Sequence, residues 1–141
     1  MLAAVCAWHA EHQASLREIT RRLTRGEQLV AATAALVETY SVLTRLPSPH
    51  RLSAADALAL VEANFMTHVK LAALPARSYA SLLRNAPRLG ITGGRTYDTV
   101  IAQCALQAGA QTLLTLNPAH FREWGNERLK IVVPSEAIAS S

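Results

Sequence analysis

The sequence predicts an α/β protein with three layers, α/β/α, around a central and mainly parallel sheet. Two observations lead to this prediction. Short continuous apolar runs alternate along the chain with longer segments of helical apolar spacing, and continuous rather than alternating strands are typical of a parallel sheet covered on both faces. Half of the 141 residues are hydrophobic and 17% are charged, which excludes a disordered chain and suits one domain over residues 1–141.

The helices are predicted from apolar periodicity and from residues that start or stop a helix. Gly26 ends the first helix, and Ser53 with Asp56 three residues later forms a capping box, which gives Asp56 a structural role. Pro75 suits a first helical turn, and Gly109 ends the last helix. The predicted helices span residues 11–25, 34–46, 53–64, 75–88 and 97–108.

The strands are predicted from short apolar runs between those helices. They span residues 28–33, 68–74, 112–116 and 129–134, with a loop at "GITGG" and a turn or short helix at "PAHFREW". Residues 136–141 are expected to be a frayed tail.

Composition limits the setting in which the protein works. Cys6 and Cys104 lie in apolar runs without metal-site spacing, which predicts buried free thiols and a cytoplasmic protein. No apolar stretch is long enough to span a bilayer, so no membrane partner is expected. The net charge of +4 rests on twelve arginines and two lysines against ten acids, which suits a nucleic-acid partner. The excess of arginine over lysine, together with abundant alanine, also follows from GC-rich coding.

Three oxygen-bearing side chains map to the carboxyl ends of predicted strands. Glu38 lies early in the helix after the first strand, Asp98 opens a later helix, and Asn117 directly follows "TLLTL". In a doubly wound sheet this edge holds the functional crevice, and hard oxygen ligands suit Mg²⁺ or Mn²⁺. Taken singly, Asp98 also fits a helix-dipole role and Asn117 before Pro118 a turn, so each has a structural alternative.

Three stretches of the chain resemble the PIN domain, and within it the VapC-like ribonuclease toxins of bacterial toxin-antitoxin modules. They are "LVETYSVLTRLPSPHRLSAADAL", "GITGGRTYDTVIAQCAL" and "LLTLNPAHF". The resemblance implies an α/β/α sandwich that cuts RNA with Mg²⁺ or Mn²⁺, a cognate antitoxin and a homodimer. It implies metal-binding roles for Glu38 and Asp98, a supporting role for Thr115, and a metal ligand in Asn117 where the family has Asp or Asn.

The start of the chain departs from the family pattern. PIN domains begin with a strand that ends in Asp, whereas "MLAAVCAWHAEHQAS" matches only the family residues after that Asp. Three explanations remain: an upstream start, a degenerate PIN domain that binds without cutting, or an acid supplied by another chain. The sequence therefore predicts a metal-dependent endoribonuclease, with a non-catalytic RNA- or protein-binding PIN module as its alternative. A metal-independent RNA-binding or regulatory α/β domain is a more distant alternative.

Overall fold

The structure is a computed structural model that describes residues 1–135, without the side chains of residues 2 and 3. Six α-helices alternate with four short strands along this part of the chain. The helices are α1 (Leu2–Val5), α2 (His12–Thr24), α3 (Thr33–Arg45), α4 (Ala54–Val61), α5 (Ala76–Leu89) and α6 (Arg95–Gln107). The strands are β1 (Val30–Ala32), β2 (Lys70–Ala72), β3 (Thr112–Leu114) and β4 (Lys130–Val132). The predicted α/β class is confirmed.

All four strands pair in parallel, but they form two sheets of two strands each. In the first sheet Val30 of β1 lies opposite Lys70 of β2, and in the second Thr112 of β3 lies opposite Lys130 of β4. The predicted single central sheet is thus divided, because no strand within residues 1–135 joins β1 to β3. Each strand is also shorter than predicted, since only three residues of each apolar run form ladder bonds.

One helix covers both sheets. The side chains of Val100 and Cys104 on α6 join the buried cluster around Ala32 of β1. Ala102 of the same helix joins the cluster around Leu113 of β3, and Ile101 packs against both clusters. Helix α6 therefore fixes the two pairs of strands relative to each other by apolar burial.

A third buried cluster joins α3 to α4 and to the π-helical turn Glu62–Met66. Its centre is Leu43, which is fully buried. Cys6 belongs to this cluster and Cys104 to that of β1, and both thiols are free and buried, as predicted.

Local signals account for most helix boundaries. The Ser53 hydroxyl accepts a hydrogen bond from the Asp56 backbone N–H at 3.1 Å and donates one to the Asp56 carboxylate at 2.6 Å. These contacts confirm Ser53 as the predicted N-cap and the structural role of Asp56, although the carboxylate bonds to the Ser53 hydroxyl and not to its backbone N–H. Gly90 ends α5 with φ of 62°, a left-handed conformation that glycine adopts without strain.

Two further expectations concern a membrane-spanning segment and the last residues of the chain. No helix within residues 1–135 is long and apolar enough to cross a membrane. The expected frayed tail at residues 136–141 lies outside the described residues.

Candidate active site

Helix α6 presents Asp98 in its first turn. The loop before it turns at Gly93, with φ of 55°, and α6 begins at Arg95 after the N-cap Gly94. The Asp98 backbone N–H donates to the Gly94 carbonyl at 3.3 Å, and no side chain caps this end of the helix. The Asp98 carboxylate is therefore not a capping group, although its place in the first turn still suits the helix dipole.

The Asp98 carboxylate pairs with His120. The distance from Asp98 Oδ2 to His120 Nδ1 is 2.8 Å, and the side chains are 22% and 48% exposed, respectively. The other oxygen of Asp98 accepts no hydrogen bond from residues 1–135. Asp98 is thus held on one side by His120, and its side chain is partly exposed.

The pairing of His120 is the contact that the sequence does not reveal. His120 reads as an ordinary surface histidine, and the two partners are 22 residues apart. A short 3-10 turn, Pro118–His120, directs the histidine towards α6, with the His120 N–H donating to the Asn117 carbonyl at 3.2 Å. The only local hint is the proximity of His120 to "TLN" in the chain.

The end of β3 places Thr115 and Asn117. The Thr115 N–H extends the ladder by donating to the Val132 carbonyl at 3.0 Å. The Thr115 hydroxyl then accepts from the Asn117 N–H at 3.0 Å, which fixes the backbone at the turn. The Asn117 side chain caps nothing here and is exposed, so its amide oxygen is accessible to a ligand.

Glu38 lies in α3, the helix that directly follows β1. Its side chain is exposed and has no basic partner within its own helix. Burial lowers the pKa of the Met1 amino group, and the negative charges of Glu38 and Cys6 oppose that shift.

Glu38, Asp98 and Asn117 lie on different elements, and no hydrogen bond or ion pair joins any two of them within residues 1–135. Helices α3 and α6, which carry Glu38 and Asp98, pack against each other. However, no group of three or more His, Cys, Asp or Glu side chains within the described 135 residues is close enough to hold a metal ion. The donor chemistry suits Mg²⁺ or Mn²⁺, because Mg²⁺ commonly takes one or two carboxylates and completes its shell with water and substrate phosphate. Glu38, Asp98 and Asn117 provide such hard oxygen atoms without forming a closed cage.

Comparison with known proteins gives the relatives of this chain. The PIN domain family matches residues 1–125. The chain is 40% identical to Ribonuclease VapC40 of Mycobacterium tuberculosis over 113 residues, which cover 80% of this chain and 78% of that protein. It is 36% identical to Ribonuclease VapC27 of the same organism over 109 residues, which cover 77% of this chain and 66% of the relative.

A solved structure with a similar fold supports the α/β architecture described above. The crystal structure of VapBC2 from Rickettsia felis, bound to a DNA fragment from its promoter, contains a chain that superposes with a TM-score of 0.62. The match covers 95% of this chain and 94% of the other at 16% sequence identity. At that identity the likeness concerns the fold alone.

Proposed function

We propose that this chain, which belongs to the PIN-domain family and within it to the VapC-like ribonuclease toxins, hydrolyses RNA phosphodiester bonds at the start of α6. The observation that carries the proposal is the state of Asp98. One carboxylate oxygen is held by His120 at 2.8 Å and the other accepts no hydrogen bond from the described residues. A carboxylate that is fixed in orientation and open to a ligand is suited to a reaction at a phosphate.

The proposal includes a divalent cation, Mg²⁺ or Mn²⁺, held by Glu38, Asp98 and Asn117. Such an ion supplies Lewis-acid stabilisation of the charge that develops on a phosphate during hydrolysis. The three residues contribute two carboxylates and one amide oxygen, the ligand types that these ions prefer. Support comes from their position on α3, on α6 and after β3, the elements whose starts and ends face the functional edge of an α/β sheet.

Two neighbouring residues contact the proposed ligands. The Thr115 hydroxyl orients the backbone of Asn117, and the His120 imidazole occupies one oxygen of the Asp98 carboxylate. Arg122, two residues after His120, is exposed and makes no ion pair within the described part of the chain. Its guanidinium is therefore available for an RNA phosphate, a contact that gives affinity without reading sequence.

The proposed partners are a cognate antitoxin that covers this site and a second copy of the chain in a homodimer, in the cytoplasm. The antitoxin is supported by membership of the VapC-like toxins and by likeness in fold to a chain from a VapBC2 complex. Covering the open side of Asp98 would keep the enzyme inactive until the antitoxin is removed.

A PIN module without catalysis is the second candidate. It is favoured by one observation: residues 1–135 contain no cluster of three acidic, histidine or cysteine side chains around a possible metal position. Such a module would bind RNA or the antitoxin and leave the phosphodiester bonds intact.

The two candidates differ in a cleavage assay with a pool of single-stranded RNA of mixed sequence. The enzyme cuts the pool in Mg²⁺ or Mn²⁺, stops in EDTA, and loses activity in Glu38→Gln and Asn117→Ala. Glu62→Gln is a matched control, since Glu62 is also an exposed glutamate on a helical turn. RNA binding without cleavage in any metal would instead support the non-catalytic module.

A further inference from the structure

A polar cleft lies beside α6, on the side that carries Thr99 and Gln103. Its walls are the C-terminal half of α5, the residues that follow it, one face of α6 and the turn at Arg122–Trp124. Its volume is about 430 Å³, which lies within the range of small-molecule sites, roughly 300–1,000 Å³. The residues that matter for recognition are Asn85, Arg88, Ile91, Gln103, Glu123 and Trp124.

The polar groups of this cleft have unused hydrogen-bonding capacity. Gln103 is half-buried, and its amide makes no hydrogen bond within residues 1–135. The Arg88 guanidinium makes only a long contact of 3.4 Å with the Asn85 side-chain oxygen. Because an amide both donates and accepts, Gln103 can pair with the hydrogen-bonding edge of a nucleobase.

Trp124 provides an aromatic wall. It is half-buried and packs against the apolar cluster around Leu129, which fixes the position of its ring. Aromatic side chains of this kind stack on the bases of single-stranded nucleic acid and tolerate any base. The apolar side chains of Leu82, Leu89 and Ile91 line the same cleft, so a flat ring would be enclosed on more than one side.

The charges of the cleft favour a neutral ring over an anion. Glu123 lines the cleft with a carboxylate, and its ion pair of 2.8 Å with Arg95 is half exposed, so the carboxylate keeps much of its negative charge. The one further cation among the lining residues is Arg88. A free phosphate or an acidic peptide would meet the carboxylate of Glu123, whereas a base would meet the amide and the ring.

The cleft is built by the two segments that hold the candidate active site. Thr99, which follows Asp98 on α6, and Gln103 one turn later both line it. Glu123 and Trp124 follow His120, the partner of Asp98. We infer that this cleft binds one unpaired base of the RNA substrate beside the phosphate that is cut. This inference rests on the proposed ribonuclease function.

The cleft can be tested without cleavage. In a Trp8→Phe variant Trp124 is the sole tryptophan and reports directly on the cleft. The probes are the four nucleoside 5′-monophosphates, with inorganic phosphate as a control. At least one nucleotide should quench Trp124 fluorescence saturably, and phosphate should not. Adding Gln103→Ala should weaken that binding about 5- to 10-fold, the effect of one lost hydrogen bond.

Gln107→Ala is the matched control for Gln103→Ala. Gln107 is one turn further along α6, is exposed and donates to the Ser78 hydroxyl at 3.3 Å. It does not line the cleft, so nucleotide binding should be unchanged. Thermal melts of both variants establish that the fold is intact.

The outcomes separate the cleft from the proposed function. Quenching by nucleotides that Gln103→Ala weakens, in a protein that cuts no RNA, would retain the cleft as a nucleotide site and overturn the ribonuclease. RNA cleavage with no nucleotide quenching, or with quenching equal in Gln103→Ala, would overturn the cleft and retain the ribonuclease. A change in Trp124 emission with the cognate antitoxin and with none of the nucleotides would assign the cleft to protein binding, which also overturns the inference.

Discussion

Removal of His120 should tighten metal binding, because the imidazole occupies one oxygen of Asp98. In the proposed site a divalent ion recruits the carboxylate that His120 now holds at 2.8 Å. The pair is partly exposed, 48% for His120 and 22% for Asp98, so screening by water limits its strength to about 0.2–1 kcal/mol. If the ion must displace the imidazole, His120→Ala removes that cost and lowers the Kd for Mn²⁺ by roughly 1.4- to 5-fold.

Isothermal titration of Mn²⁺ into the wild type and His120→Ala, at one pH and ionic strength, measures this difference. His68→Ala is the control, since His68 is also an exposed histidine and makes no side-chain hydrogen bond or ion pair within the described residues. Because the pair of His120 and Asp98 is partly exposed, its loss in His120→Ala should lower the free energy of unfolding by no more than about 1 kcal/mol. Weaker Mn²⁺ binding in His120→Ala would refute the reasoning and identify His120 as a ligand instead of a competitor.

Three further predictions concern the fold. Leu43→Ala, at a fully buried position, should lower the free energy of unfolding in urea by about 2–5 kcal/mol. Val37→Ala, on the exposed face of the same helix, should change it by less than about 0.5 kcal/mol. Equal losses in the two variants would contradict the assigned core. Ser53→Ala should cost about 1 kcal/mol in the same assay through loss of the cap, and a neutral result would contradict the capping box. Hydrogen bonds from Arg21 and Arg22 lower the pKa of Glu18 to about 2, below its usual 4.5, so the stabilisation is complete above pH 4.5 and is lost as the pH falls towards 2. Acid titrations of Glu18→Gln, monitored by circular dichroism, should lack that component, which is worth about 1 kcal/mol for a partly exposed network.

Local patterns predict the helices well because caps and periodicity are local. Helix α2 is predicted over 11–25 and spans His12–Thr24, and α5 is predicted over 75–88 and spans Ala76–Leu89. The spacing after Ser53 assigns Asp56 to a cap, and the structure confirms it. These features depend on contacts within four residues along the chain.

Other features depend on contacts between distant residues and are not predicted. The division of the sheet cannot be read from apolar runs, because a run indicates burial without identifying the strand beside it. Helix α1 is only four residues long, too short for a periodic pattern. The contact between His120 and Asp98 and the cleft beside Trp124 both depend on how the turns after β3 pack on α6.

The sequence indicates where the site residues lie but not which contacts they make. Sequence reasoning selects Asp98 and Asn117 by their places beside α6 and β3, and the structure puts both in accessible positions there. It does not reveal that His120 bonds to Asp98, or that the Met1 amino group lies within the electrostatic influence of Glu38. The ligand roles of Glu38, Asp98 and Asn117 stay predictions.

The most direct measurement is the rate at which Asp98→Asn cuts a mixed pool of single-stranded RNA in Mn²⁺, compared with Asp56→Asn. These are the two aspartates of the chain, one beside His120 and one in a helix cap. A site that loses several kcal/mol of transition-state stabilisation slows by about 100-fold or more, so Asp98→Asn should be nearly inactive. Asp56→Asn should keep the wild-type rate within about a factor of two where both proteins are folded. Equal cleavage by the two variants, or greater loss in Asp56→Asn, would contradict the account.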